Sequence, residues 1–365
     1  MKKYKVRYQD LSIKGDAKQK RYINILKKMM RSGKFLMGPE IQILEKKISK
    51  ICKRKYAVGT ASGTDALYLA LRAIGIKKGD EVITTPLSWV SSTNAITMNQ
   101  ATPVFVDVKD DLNIDESKIE KKITNKTKAI LFVNFTGNTC DFKKLISISK
   151  KYNLKLIEDG AQSFGSSDAE KISGSVGEIS CFSLNPMKIL SSFGESGMVL
   201  TNNKQYFKRL EILRYVGTVN KDNCVYPSLN FKMDTLQAGF ILENLKFVKS
   251  KIKSRNRMAD IYIKKLSKNI LVPKINYKNT HSFYSFTILV NKRDKLKRYL
   301  EKKGIETKIQ HKILIPHQKA YLKYLKNDIP NAEKVVKKIL CLPLHESLSI
   351  SNLNYIIKNI NEFYK

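Results

Sequence analysis

Lys188 closes the run Cys181-Phe182-Ser183-Leu184-Asn185-Pro186-Met187-Lys188, and Asp159 stands upstream in Ile157-Glu158-Asp159-Gly160-Ala161-Gln162. A lysine amine fixed in place can form a Schiff base with an aldehyde. An aspartate at the end of a strand can hold a protonated pyridine nitrogen. Pyridoxal phosphate needs both groups and a cradle for its phosphate. Ser62-Gly63-Thr64 offers such a cradle, because the first amides of a helix lack intrahelical partners and attract anions. Trp89, the single tryptophan, follows Pro86-Leu87-Ser88 and could stack on a planar ring.

Each feature has a plainer alternative. Ser62 and Thr64 before a helix read as N-caps. Trp89 reads as a core side chain. Asp159, with Gln162 three residues on, has the spacing of a capping box. Lys188 is one lysine among many, and only its context raises it: Ser183 precedes it, and Gly194-Glu195-Ser196-Gly197 follows with two glycines that admit a close backbone approach.

The elements that must position these residues alternate. Tyr56–Val58 reads as a strand and Asp65–Ile74 as an amphipathic helix. Strands follow at Glu81–Thr84, Val104–Asp107, Ala129–Val133, Leu154–Ile157 and Met198–Thr201. Strands spaced by helices imply right-handed crossovers and a mostly parallel sheet. In such sheets ligands gather beyond the carboxyl ends of the strands, where Trp89 and Asp159 fall. The pattern changes near residue 240. Leu236–Ile261 reads as one long helix, Ser285–Val290 as a strand and Asp294–Lys303 as a helix ending at Gly304. The expected organisation is a large domain over 1–240 and a smaller α+β domain over 241–365.

The chain has 365 residues and a hydrophobic fraction of 42%, enough for a sizeable core. No stretch has the roughly 18 uninterrupted apolar residues of a membrane span. The opening Met1-Lys2-Lys3-Tyr4-Lys5-Val6-Arg7 leads into polar residues and does not read as a secretory signal. Five cysteines without a Cys-x-x-Cys pair, and four histidines, suggest a reduced cytoplasmic protein without a metal site. The formal net charge of +36 raises nucleic acid as a partner. The lysines are dispersed along the chain, however, as on solvated faces, and the expectation is no nucleic acid and no membrane. A positive field would instead attract an anionic substrate.

Taken in order, Ser62-Gly63-Thr64, Trp89 after Pro86, Glu158-Asp159-x-Ala161-Gln162, Ser183 with Lys188, and Gly194-Glu195-x-Gly197 resemble the DegT/DnrJ/EryC1/StrS sugar aminotransferases. Leu36-Met37-Gly38-Pro39-Glu40, Pro103-Val104-Phe105-Val106-Asp107, Gly304-Ile305-Glu306-Thr307 and Leu342-Pro343-Leu344-His345 extend the likeness over nearly the whole chain. The resemblance implies the aspartate aminotransferase fold (α/β, type I pyridoxal-phosphate transferase): a mostly parallel seven-stranded sheet plus a smaller C-terminal α+β domain. It implies pyridoxal 5'-phosphate as cofactor and transfer of an amino group from glutamate to C3 or C4 of a nucleotide-linked keto sugar, for glycan biosynthesis. Lys188 would be the Schiff-base lysine and proton carrier. Asp159 would pair with the pyridine nitrogen, Gln162 would sit by the ring hydroxyl, and Trp89 would stack on the ring. Gly63, Thr64 and Ser183 would hold the phosphate. Asn230 matches an asparagine lent to the neighbouring subunit, so a homodimer with shared active sites is implied.

Four positions depart from the family pattern: Asn185-Pro186 where a histidine is common, Ser196 for glycine, Lys232 for arginine and Tyr284 for histidine. They concern the sugar side more than the cofactor side and leave the substrate open. A cyclitol or small phosphorylated ketone, a non-catalytic regulatory relative and a basic nucleic-acid-binding protein are the alternatives. Relatives that remove a sugar hydroxyl carry histidine at the lysine position, and Lys188 argues against that reaction.

Overall fold

The computed structural model describes residues 4–168, 170–275, 279–326 and 328–365. Met1–Lys3 of the basic opening therefore lie outside the described residues.

Helices α1 (Asp16–Ser32) and α2 (Pro39–Ile51) lead into β1 (Tyr56–Thr60), α3 (Gly63–Ala73), β2 (Glu81–Thr84), α4 (Ser91–Met98) and β3 (Thr102–Phe105). Then come β4 (Thr127–Val133), α5 (Phe142–Lys151), β5 (Lys155–Asp159), β6 (Ile179–Ser183), β7 (Gly197–Thr201) and α6 (Lys204–Arg214). The seven strands form one sheet in the order β1-β7-β6-β5-β4-β2-β3. All neighbours are parallel except β7, which runs against both β1 and β6. The strands are buried along most of their length, which is why they read as continuous apolar runs such as Ala129–Val133. The covering helices show the 3.6-residue period. In α5, Phe142, Leu145 and Ile148 turn inward, and the Asp141 carboxylate caps the first turn by accepting from Lys144 N.

The ribbon of β8 (Thr218–Val219) and β9 (Asn223–Cys224) precedes α7 (Thr235–Leu245) and α8 (Val248–Lys265). The single helix expected over Leu236–Ile261 is thus two. Lys246 N and Phe247 N bond to Glu243 O and Asn244 O, three residues back, and this tightened turn redirects the axis. The remainder is β10 (Phe286–Leu289), α9 (Arg293–Lys302), α10 (Pro330–Val336), β11 (Ile339–Leu342) and α11 (Ile350–Phe363), with β10 and β11 antiparallel. This part has its own core of Phe286, Ile288, Leu296, Leu340, Leu353 and Ile356. Helix α8 serves both cores. Val248 and Ile252 pack with the sheet, and Met258, Ala259 and Tyr262 pack in the second core, which also takes Val6.

Strand β3 ends two residues before the expected Asp107. That carboxylate is taken by α10, accepting from Asn331 N at 3.1 Å and Ala332 N at 2.8 Å, an anion at a helix N-terminus. Among the described residues no helix is long and apolar enough to cross a membrane.

Candidate active site

The topology gathers the ends of β1, β5 and β6. Thr60 and Ser183, the last residues of β1 and β6, both pair with Gly197, the first of β7, and Asp159, the last of β5, pairs with Cys181. Asp159 therefore lies in the final strand position, one step inside the place expected for it. No helix follows it, so the capping-box reading has no helix to cap.

Period-two alternation sends Glu158 and Asp159 to opposite faces of the sheet. Glu158 is consumed by structure. It accepts from Asn134 Nδ2, Ser173 Oγ, Gly174 N and Ser180 Oγ at 2.6–3.0 Å, while Arg54 ties the same loop through Gly174 O, Val176 O and Ser180 Oγ. Asp159 faces the site. Its Oδ2 accepts from Ser92 Oγ at 2.7 Å and its Oδ1 from Ala161 N at 3.1 Å. Burial raises its carboxyl above the ordinary value, opposed by the Ser92 and Ala161 hydrogen bonds and the charge of Lys188.

Lys188 sits in the loop after β6, its amide bonded to Asn185 O at 3.0 Å. Gln9 Nε2 donates to Met187 O at 3.2 Å, and Lys251 Nζ to Lys188 O at 3.3 Å. Lys251 is itself unusual, since burial, chiefly, brings its amine down to about 8. The Lys188 amine lies 4.5 Å from the centre of the Tyr284 ring, so the residue that departs from the family histidine supplies a π face instead.

Gly63 opens α3 after the Ser62 cap. Ser62 Oγ takes Asp65 N and Ser62 O takes Ala66 N, which leaves the Gly63 and Thr64 amides for a ligand. A side chain at position 63 would place its Cβ 2.5 Å from Ser183 Cβ, so only glycine lets the end of β6 come this near. Thr64 Oγ1 and Ser91 Oγ lie 2.8 Å apart. Trp89 is 63% exposed, which removes it from the core.

Two of the expected residues have partners of their own. Gln162 is buried and its Oε1 accepts from Thr136 N at 2.8 Å. Asn230 is exposed beside β1 and accepts from Lys232 N at 3.4 Å. Among the described contacts nothing joins it to Lys188 or Asp159.

The profile of the DegT/DnrJ/EryC1/StrS aminotransferase family matches residues 16–361. The chain belongs to this family. It is 33% identical over 347 residues to an Aneurinibacillus thermoaerophilus dTDP-3-amino-3,6-dideoxy-alpha-D-galactopyranose transaminase, covering 94% of this chain and 96% of the relative. It is 36% identical over 354 residues to GDP-perosamine synthase of Escherichia coli O157:H7, covering 95% and 96%. Among solved structures, S. venezuelae DesV in complex with a ketimine intermediate superposes with a TM-score of 0.95 at 29% identity, covering 99% of this chain and 98% of that one.

As a DegT/DnrJ/EryC1/StrS aminotransferase the protein is an enzyme that uses pyridoxal phosphate. The residues present suit that group. Two spare amides with the Thr64 and Ser183 hydroxyls suit a dianionic phosphate. A buried carboxylate without an ion pair among the described residues suits a pyridinium. An uncovered indole suits a flat ring.

Sequence reasoning missed Ser91, Ser92 and His311. The two serines had one available signal, their position in the turn after Trp89 at the head of α4. His311 had none. Its ring centre lies 6.2 Å from that of Trp89 and 5.4 Å from that of Phe135, its backbone is left-handed at φ 56°, and its Nε2 is inaccessible without a hydrogen-bond partner among the described residues. Burial, with Lys308 and Lys188 nearby, lowers its pKa to about 4.

Proposed function

We propose that the enzyme moves an amino group from glutamate to the C3 or C4 keto carbon of a nucleotide-linked deoxy sugar. The observation that carries this is Lys188 near a buried Asp159 in a chain whose relatives, over nearly their full lengths, include nucleotide-sugar transaminases. Bound at this site, pyridoxal phosphate supplies an aldehyde that takes up amines and a ring that accepts the electrons freed when carbon loses a proton. The chain does the rest. Gly63, Thr64 and Ser183 hold the phosphate, and Trp89 covers one ring face. Asp159 keeps the ring nitrogen protonated, and Gln162 stands by the ring hydroxyl. Lys188 Nζ would meet the aldehyde and carry the proton between the two carbons. The net charge of +36 favours arrival of an anionic nucleotide diphosphate.

The working unit in this reading is a cytoplasmic homodimer, with Asn230 serving the partner's phosphate. Asn230 is exposed and next to Leu229, which is 68% exposed. Phe35 and Leu36, also exposed, adjoin the same strip through the Leu36–Asp234 bridge. Apolar surface of this kind marks an interface.

The test is a panel of dTDP-, UDP- and GDP-linked 3-keto and 4-keto hexoses offered with glutamate, with 2-oxoglutarate and the amino sugar followed by mass spectrometry. Turnover with at least one sugar is expected. Glutamate that reacts while every nucleotide sugar is refused and a free cyclitol ketone is aminated would overturn the substrate class. Inert glutamate would overturn the whole reading.

A further inference from the structure

Asp159 is held by more than its place in β5. Ser92 Oγ lies 2.7 Å from Asp159 Oδ2, and Ser88 Oγ lies 3.1 Å from Ser92 Oγ. All three side chains are buried. An ionised carboxylate only accepts hydrogen bonds, so the single Ser92 hydroxyl proton must point to Asp159, and Ser88 must then donate to Ser92. The direction of the chain is fixed, and each bond polarises the next in a medium of low dielectric.

We infer that Ser92, backed by Ser88, is a positioning residue that keeps the Asp159 carboxylate a weak base, so that the proton shared with the cofactor's ring nitrogen stays on the nitrogen. The inference rests on the reading of Asp159 as the partner of that nitrogen. The sign follows from the surroundings. Burial drives the carboxylate to take a proton for itself, and Ser92 is the first of the groups that oppose this. Without the hydroxyl the carboxylate becomes more basic, the proton moves from the ring to Oδ2, and the ring accepts electrons less well. The same five residues, 88–92, also carry Trp89 and Ser91, and Ser91 Oγ meets Thr64 Oγ1 at 2.8 Å. One turn at the head of α4 thus touches the groups assigned to the ring face, the ring nitrogen and the phosphate.

The experiment reconstitutes the apoenzyme and its variants with pyridoxal phosphate labelled with 15N in the ring, and reads the nitrogen resonance together with kcat and KM. Ser92→Ala should move the resonance toward the neutral ring and lower kcat by about ten- to a hundredfold, the value of one hydrogen bond to a charged group. Ser92→Thr should restore both, and Ser88→Ala should shift both less. Ser92→Cys, a near-isosteric weak donor, reports the same effect if the alanine variant does not fold. A lowered kcat with the resonance unmoved, or no change in either, overturns the inference. Asp159→Asn separates the two claims. If it displaces the resonance and Ser92→Ala does not, only the role of Ser92 falls. If neither does, the reading of Asp159 falls with it.

Discussion

Replacing Gly63 with alanine sets a methyl group 2.5 Å from Ser183 Cβ and 2.8 Å from Ser183 Cα. Carbon atoms rest at about 3.5–4.0 Å, so α3 and the end of β6 must part by about 1 Å. Gly63 does not have a left-handed backbone, so the substitution adds no φ strain, and alanine returns at most about 1 kcal/mol of helix propensity. Overpacking of this size costs about 1–3 kcal/mol. In a chain this long such a loss moves Tm by only a few degrees. The cofactor should feel far more. The parting displaces the Gly63 and Thr64 amides from the Ser183 hydroxyl, and one lost hydrogen bond to a charged phosphate is worth about 1.5–3 kcal/mol. Affinity for pyridoxal phosphate should therefore fall by between about ten and a hundred times, at 1.4 kcal/mol per tenfold. Titration of the apoenzyme, followed by the visible absorbance of the bound cofactor, gives the affinity, and calorimetry gives Tm. Wild-type affinity in the alanine variant would refute the cradle, and so would a collapse of Tm with affinity intact.

Lys188→Ala should fold yet lose the visible band and glutamate turnover together, and turnover near the wild-type rate would end its assignment. Asp159→Asn should cost about a hundredfold or more in kcat, since electrostatic groups at developing charge are worth about 3–4 kcal/mol; an unchanged rate would leave Asp159 only its structural contacts with Ser92 and Ala161. Mixed dimers of Lys188→Ala and Asn230→Asp should recover activity toward half per heterodimer, because one of the two sites then carries neither lesion; no recovery, with exchange verified by mass, would return Asn230 to its own subunit. Burial lowers the pKa of His281 to about 3 and of His311 to about 4, below the unfolded value of 6.5. The unfolded chain then binds more protons, so stability should fall as pH drops from about 6.5 toward 4. Denaturant titrations across that window should show a shallower pH slope in His311→Asn, and an identical slope would contradict the burial.

The sheet was legible because its strands are buried on both faces, and runs such as Ala129–Val133 are bounded by turn signals. Lys188 and Asp159 were legible because each follows such a run. The limits of the reading are just as physical. Pattern alone does not mark where i→i−4 bonding gives way to i→i−3, so the Lys246-Phe247 break escaped. Strand ends shifted where a side chain found a distant partner, as Asp107 did at the N-terminus of α10. Trp89 had two readings by residue type, a core side chain and a partner for a flat ring, and its exposure removes the first. Ser92 and His311 matter through neighbours 67 and more than 100 residues away in the chain, and no local window contains that information.

Helix α8 ties the halves of the molecule mechanically. Its first turns are gripped by the sheet core and its last by the C-terminal core, while Arg255 midway binds Phe283 O, Tyr284 O and Glu346. Neither half should survive as a separate fragment: a chain stopped at 245 would lose Val248 and Ile252 from the core that holds Leu184 and Leu190, and one begun at 266 would lack Tyr262 under Phe286. Melting should accordingly be a single event. Because Lys251 on this rod donates to the Lys188 carbonyl, bending of α8 would be passed to the backbone that carries the reactive amine.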